Sequence, residues 1–380
     1  MSGGWSSPSA ALAAPPPAAR VEALRGPDEL AALVPEWEAL AGAALEPSPF
    51  YEHWMLRPAL QWLAAEAPVR IVAVRVDGAL AGVFPFQELR RYKGLPLRGL
   101  RLWRHRHCML CVPLVRRDAA AACLDALLDW ASHRAALLEM ECIPAGGAFH
   151  CALLDAGARR GSAPVAEDVF TRAVLRKAQS AERYLESALS STTRRKLARK
   201  ARRLAERGAL AHVRLEPETD IGRWTEEFLA LEASGWKGER GSALASREGD
   251  GRFAAAVFEE AFRRGRLFSV GVSLDGAPIA RCCTLLAAPG SFAFKTAYDE
   301  RFADFSPGVL AELDRIAAFH GLEGIEWMDS FTGTQNKRLD AMWKDRIAVQ
   351  TLALALNRRG ALALAALPAL RFAKRALRPG

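Results

Sequence analysis

Two short segments about 200 residues apart share one design, and that repetition limits what the chain can fold into more than any other feature. Arg70-Ile71-Val72-Ala73-Val74-Arg75-Val76 runs into Asp77-Gly78 and returns as Ala79-Leu80-Ala81-Gly82. Leu267-Phe268-Ser269-Val270-Gly271-Val272-Ser273-Leu274 runs into Asp275-Gly276 and returns as Ala277-Pro278-Ile279-Ala280. Asp-Gly between two strand-like runs selects a two-residue hairpin, because both central positions of the favoured turn need positive φ. The spacing suits a duplicated domain and is far too long for a solenoid repeat.

Each hairpin follows helical patterns, residues 28–41 in the first case and 221–234 and 252–264 in the second. Each is followed by strand, helix and strand. In the first half these are residues 111–115, 119–132 and 137–142; in the second they are 292–298, 307–319 and a strand at Ile325, then a short helix near 337–342 and a last strand at 348–356. The expected organisation is a disordered lead-in at 1–19, a first domain at 20–165, a second at 166–357 and a basic amphipathic tail at 358–380. A chain of 380 residues is long enough for each domain to bury its own core. The lead-in is rich in Ala, Pro, Ser and Gly and lacks the basic start of a secretory signal, so cytoplasmic residence is expected. No run of about 18 uncharged apolar residues suggests a membrane span.

The formal charge of +9 gathers at residues 192–208 and again from Arg358 onward, which points to an anionic partner. In the first of these, Ser190 or a neighbouring Ser or Thr caps a helix, Gly208 closes it, and Leu197, Ala201, Leu204 and Ala205 form one narrow apolar face. Its basic remainder is either a solvated face or an anion-binding ridge. Seven cysteines without regular spacing indicate reduced thiols. His105, His107, Cys108 and Cys111 lie close together, but no second Cys-x-x-Cys accompanies them and the run to Val115 is strand-like. Buried thiols and partly exposed histidines are expected there, and no metal.

The segment from Phe292 to Glu300, continuing to Ser306-Pro307-Gly308, carries the most chemistry. It reads as a strand, a loop and a helix that opens on Pro-Gly, whose free N–H groups attract phosphate. Gly324 to Ser330 reads as a second, parallel strand beside the first. Strict alternation puts Lys295 with Ala293 and Ala297 on one face, and Phe292, Phe294, Thr296 and Tyr298 on the other. A lysine on a small apolar face needs a carboxylate, and Asp329 or Glu326 would supply it. A structural ion pair and a carbonyl-polarising role both remain open for Lys295.

A family resemblance rests on five segments in order: Leu231-Glu232-Ala233-Ser234-Gly235-Trp236-Lys237-Gly238; Gly241-Ser242-Ala243-Leu244; Phe294-Lys295-Thr296-Ala297-Tyr298-Asp299-Glu300; Ser306-Pro307-Gly308; and Asp329 with Gly333 and Lys337. Residues 192–354 resemble the acyltransferase family of Gcn5-related fold found in bacterial cellulose-biosynthesis-associated proteins. That family is related to Fem-type aminoacyl transferases and includes bacterial ceramide synthase-like members. The first half resembles the degenerate tandem copy that such proteins carry. The implied fold class is α/β (α+β): tandem acyltransferase domains, each a mixed, mostly antiparallel sheet with a splayed parallel strand pair flanked by helices.

The resemblance further implies N-acyl transfer from acyl-coenzyme A as co-substrate, without a metal, to an amine of envelope biosynthesis. The acceptor would be an amino lipid such as a sphingoid base, or an amino sugar or polysaccharide. The donor's pantetheine arm would insert where the strands ending at Tyr298 and Asp329 part. Asp329 would be the base or orienting group for the amine, Lys295 would polarise the carbonyl, and Tyr298 would protonate the thiolate. Ser306, Gly308, Val309 and Lys337 would bind the cofactor, and Trp236 and Lys237 would line the acceptor pocket.

Two alternatives stand beside this reading, a Fem-like transferase using aminoacyl-tRNA and a non-catalytic accessory protein of an envelope polysaccharide synthase. The basic helix lacks interleaved aromatics for stacking on bases, so nucleic acid is not the expected partner. The leucine-rich, basic tail suits either docking on its own protein or the interface of an anionic membrane, which would place the protein at the inner face of the cytoplasmic membrane.

Overall fold

The computed structural model describes residues 18–24, 26–64, 68–333 and 336–376. The lead-in therefore lies outside the described residues up to position 17, and Ala19 already begins a strand. Along the first half the elements are β1 (Ala19–Leu24), α1 (Pro27–Ala32), α2 (Val34–Gly42), α3 (His53–Leu63), β2 (Val69–Val76), β3 (Ala79–Leu89), β4 (Gly99–Leu102), β5 (Leu114–Val115), α4 (Ala120–Ser132), β6 (Leu137–Pro144) and α5 (Ala148–Arg159). The second half continues with β7 (Val165–Arg176), α6 (Ala181–Ala188), α7 (Ser191–Ala205), β8 (Leu210–Arg214), α8 (Ile221–Ala233), α9 (Trp236–Glu239), α10 (Glu248–Arg263), β9 (Leu267–Leu274), β10 (Ala277–Ala287), β11 (Gly290–Tyr298), α11 (Pro307–His320), β12 (Trp327–Asp329), α12 (Lys337–Met342), β13 (Asp345–Ala355) and α13 (Arg358–Ala376).

All the strands join one sheet in the order β1-β2-β3-β4-β6-β13-β7-β12-β11-β10-β9-β8, with β5 attached to β3. Read from its two ends, the order matches β1 with β8, β2 with β9, β3 with β10, β4 with β11 and β6 with β12. The strand directions match too: β4 with β6 and β11 with β12 are the parallel pairs, and the other neighbours are antiparallel. The Asp-Gly turns fall at equivalent places, with Asp77 at φ 51° and Asp275 at φ 50° and each following glycine also positive, as the hairpin requires. The mixed, helix-flanked tandem architecture expected from the sequence is therefore present. At the centre the two halves meet through β13, which pairs with β6 of the first half on one side and with β7 on the other, while β7 pairs with β12.

Two helical layers cover the second-half sheet. Phe228 of α8 and Phe253 and Phe258 of α10 pack with Cys283, Leu285, Phe292 and Phe294 on one face. Leu310 and Ala311 of α11 and Leu204 of α7 pack with Cys282 and Ala280 on the other. The helix α7 is capped as its sequence suggests, Ser190 accepting the Thr193 N–H. Ala363 and Leu367 of α13 are buried beside Tyr92 and Leu137, so the start of the tail docks on its own protein.

Candidate active site

The strand β11 departs from its expected pattern in a way that shapes the site. Phe292 pairs with Leu285 and Lys295 with Cys283, so Ala293 and Phe294 together face Thr284 alone. This is a β-bulge, and it resets the alternation. Phe292 and Phe294 therefore share a core with Cys283 and Ala297, the face that Lys295 also occupies, whereas Ala293 turns to the opposite side. The expected separation of Lys295 from the phenylalanines is corrected accordingly.

At the same place β11 loses its parallel neighbour. The ladder with β12 runs through Gly290↔Trp327 and Ser291↔Met328 and ends at Phe292↔Asp329. Gly290 permits this close start, because a Cβ there would lie 2.3 Å from the Trp327 ring. Past Phe292, β11 continues beside β10 alone. The Asp299 N–H donates to the Ile279 carbonyl at 2.9 Å, and antiparallel alternation from that bond turns the Thr296 and Tyr298 backbone groups away from β10, toward the side that β12 has left. Lys237 Nζ reaches into that edge, donating to the Thr296 carbonyl at 2.8 Å and to Glu232 Oε1 at 2.7 Å. Only about 20 Å³ remains open between Glu232, Gly235, Lys237 and residues 296–298. Lys237 thus sits on the strand edge rather than on a separate pocket wall, and the side chain of Trp236 lies outside the described residues.

At the end of β11, Asp299 folds onto Arg301, whose guanidinium holds its carboxyl below the usual aspartate range. Ser306 follows in the left-handed region at φ 57° and starts α11. Its carbonyl accepts the Val309 and Leu310 N–H groups, and its hydroxyl accepts Lys200 Nζ of α7 at 2.8 Å. Gly308 is buried in the first turn of α11. The basic helix α7 therefore lies beside the start of α11. Arg195, Lys196, Arg199 and Arg202 line a groove of about 450 Å³ along it. Lys337 opens α12, and its side chain lies outside the described residues.

Asp329 does not meet Lys295. It is 1% exposed; its Oδ2 accepts Arg172 Nη2 at 2.6 Å and its Oδ1 accepts the Phe331 N–H at 2.8 Å. Arg172 also donates to the Met109 carbonyl at 2.5 Å. The base role expected for Asp329 gives way to a structural one, because both oxygens are occupied and the carboxylate is sealed from any amine. Glu326 is likewise not the partner of Lys295.

The group that does meet Lys295 comes from the first half. Residues 103–111 leave β4 and cross to the second-half sheet, where Lys295 Nζ donates to His107 Nδ1 at 3.2 Å. His107 Nε2 lies 3.1 Å from Asp250 Oδ1 of α10, off the line of a hydrogen bond. His105 is buried and His107 half-buried, both against Phe253, and neither ring nitrogen of His105 has a partner. The expected partial exposure holds for His107 and is corrected for His105; burial keeps both rings neutral, His107 being pushed down to about 2. Burial also lowers Lys295 to about 8, opposed first by the charge of Glu232. Among the described residues no three His, Cys, Asp or Glu side chains gather as a metal site. In the sequence His105 and His107 alternate with Arg104 and Arg106, so nothing local marks the two rings as turned inward.

A cleft of about 730 Å³ lies away from β11, between α3 and the end of α10. Within it Glu38 holds both His53 and Arg264 at 2.9 Å.

In this half of the sheet the parallel strands part beside a bulge, and a helix opens just beyond. Residues 191–344 match the family model described as an acetyltransferase (GNAT) domain. Among solved structures the chain is similar to FemX, at 13% identity and a TM-score of 0.55 over 87% of this chain and 96% of that one. It is similar also to a conserved protein of unknown function from Bacteroides thetaiotaomicron (9%, 0.50, 85% and 97%). A third is the C-terminal domain of a candidate lysylphosphatidylglycerol synthetase from Agrobacterium fabrum (14%, 0.50, 90% and 97%). At these identities the likeness is one of fold. No curated protein matches by sequence.

Proposed function

We propose that the protein is an N-acyltransferase that moves an acyl group from acyl-coenzyme A to an amine of envelope biosynthesis, an amino lipid such as a sphingoid base or an amino sugar. The observation that carries this reading is the parting of β11 from β12 at Phe292↔Asp329, beside the bulge and ahead of α11. A pantetheine arm has amide groups that can pair with the outward backbone of Thr296 and Tyr298, taking the place of Lys237. The Ser306–Gly308 turn and Val309 would receive the donor's phosphates, with Lys200 adding charge and Lys337 reaching them from α12. The thioester would then pass from the α11 face toward the face that carries Lys295.

Aminolysis of a thioester needs a neutral amine, a stabilised oxyanion and a proton for the thiolate. We assign the last to Tyr298 on the donor side and the amine side to Lys295, with Asp329 holding the loop geometry through Arg172. A thiol-release assay of acyl-coenzymes A against sphingoid bases and amino sugars tests the reading; release that depends on an acceptor is expected. Replacing Gly308 by Leu should weaken coenzyme A binding in calorimetry at least tenfold, and unchanged affinity would count against the phosphate assignment.

One observation favours a second donor. The exposed basic face of α7 would suit the backbone of an aminoacyl-tRNA, in which case binding should fall steeply with salt. A folded protein with no turnover of either donor would instead indicate the accessory role. Among the described residues no helix is long and apolar enough to cross a membrane. Attachment at the inner face of an anionic membrane is proposed through α13.

A further inference from the structure

The first half supplies a side chain that meets Lys295 of the second half. We propose that His107, carried on the loop at residues 103–111 and backed by Asp250, is a positioning residue for Lys295, and that Lys295 takes the proton shed by the attacking amine. The inference rests on the acyl-transfer reading above. Its warrant is geometric. Lys295 stands on β11 just past the bulge, on the face opposite α11, and is only partly exposed. A donor laid on the α11 side would present its carbonyl through the gap to this face, where an acceptor would arrive.

Among the described residues His107 is the hydrogen-bond partner of the Lys295 amine, at 3.2 Å. The other charged or titratable groups around it are Glu232 of α8, Lys237 of α9, Asp250 of α10 and Cys283 of β10. Glu232 is already engaged by Lys237 and by the Leu244 N–H. A neutral imidazole accepting at Nδ1 must carry its proton on Nε2, and Asp250 at 3.1 Å favours that tautomer. The ring therefore orients one Lys295 N–H and leaves the rest of the amine directed elsewhere. Burying two histidines with unpaired ring nitrogens is costly for a loop that serves only to link strands.

The step balances as follows. The acceptor nitrogen bonds to the thioester carbon; the proton it sheds goes to the neutral Lys295 Nζ. The C–S bond breaks, the thiolate leaves with the Tyr298 proton, and the proton held by Lys295 restores Tyr298 through solvent. The products are an amide and a free thiol.

The test uses the full chain as wild type, His107→Ala, His107→Gln and Asp250→Asn, with unfolding midpoints to confirm folding. Competitive labelling of Lys295 with acetic anhydride across pH, read by mass spectrometry, follows its amine without any need for turnover. Removing the Asp250 carboxylate should lower the labelling midpoint below that of wild type, because less negative charge then supports the ammonium. His107→Ala should shift the midpoint and reduce kcat about tenfold to a hundredfold with donor KM unchanged. His107→Gln, whose amide oxygen can replace Nδ1, should restore much of both. Folded His107→Ala with a wild-type labelling midpoint and a wild-type pH profile would overturn the proposal. Should wild type turn over no acyl-coenzyme A, the acyl-transfer reading fails, while the labelling midpoints still decide whether His107 governs Lys295.

Discussion

Asn in place of Asp329 should unfold this protein more readily, and that outcome separates a structural carboxylate from a catalytic one. The Arg172 and Asp329 side chains are 0% and 2% exposed, and their nitrogen and oxygen lie 2.6 Å apart. Neutralising one member of such a pair leaves the other charge buried without a counterion, which costs about 3–5 kcal/mol. That lowers the folding constant by roughly a hundredfold to a few thousandfold. Urea denaturation followed by tryptophan fluorescence and by circular dichroism would measure it. The double replacement Arg172→Met with Asp329→Leu should recover most of the loss, because no charge is then stranded. Turnover of Asp329→Asn should fall with stability, since Arg172 anchors the Met109 carbonyl two residues beyond His107. Asp329→Asn with a wild-type unfolding midpoint and no turnover would refute this reasoning and return the residue to the chemistry.

Three further outcomes are expected. Lys295 is lowered by burial from 10.5 to about 8, so between these values the unfolded chain binds the extra proton and stability rises with pH. Relative to Lys295→Met, wild type should gain about 3 kcal/mol from below pH 8 to above 10.5, measured by denaturation in a pH series. Gly290→Ala places a methyl within 2.3 Å of Trp327 and should cost about 1–3 kcal/mol in the same assay by prising β12 from β11. Flotation with anionic liposomes should be reduced by removing residues from Gly360 onward; equal flotation of both forms would assign any membrane contact elsewhere.

Much of the second half was legible because its signals are local. The paired Asp-Gly turns, the Ser190 cap and the strand that ends at Tyr298 each follow from a few adjacent residues. The bulge was not, since nothing in Phe292-Ala293-Phe294-Lys295 announces that two of its residues will face Thr284 alone; that mismatch belongs to the pairing of two strands. The partner of Lys295 was misread for the same reason. Asp329 is its nearest carboxylate on the adjoining strand by counting, but the ladder ends opposite Phe292, and Arg172 from a strand about 150 residues earlier takes the carboxylate first.

The pairing of β13 with β6 joins the first half to the second-half sheet. Because β13 of the second half completes the β6 edge, the first half cannot close its sheet alone, and without it β13 would be left as an open edge. The loop at residues 103–111 and Phe50 then lie against the second-half site by construction, Phe50 stacking on Phe331 at 4.3 Å. Expressed without the first half, residues 166–357 would lack the β6 edge, the aromatic wall and His107 together, so the smallest active unit should be the tandem.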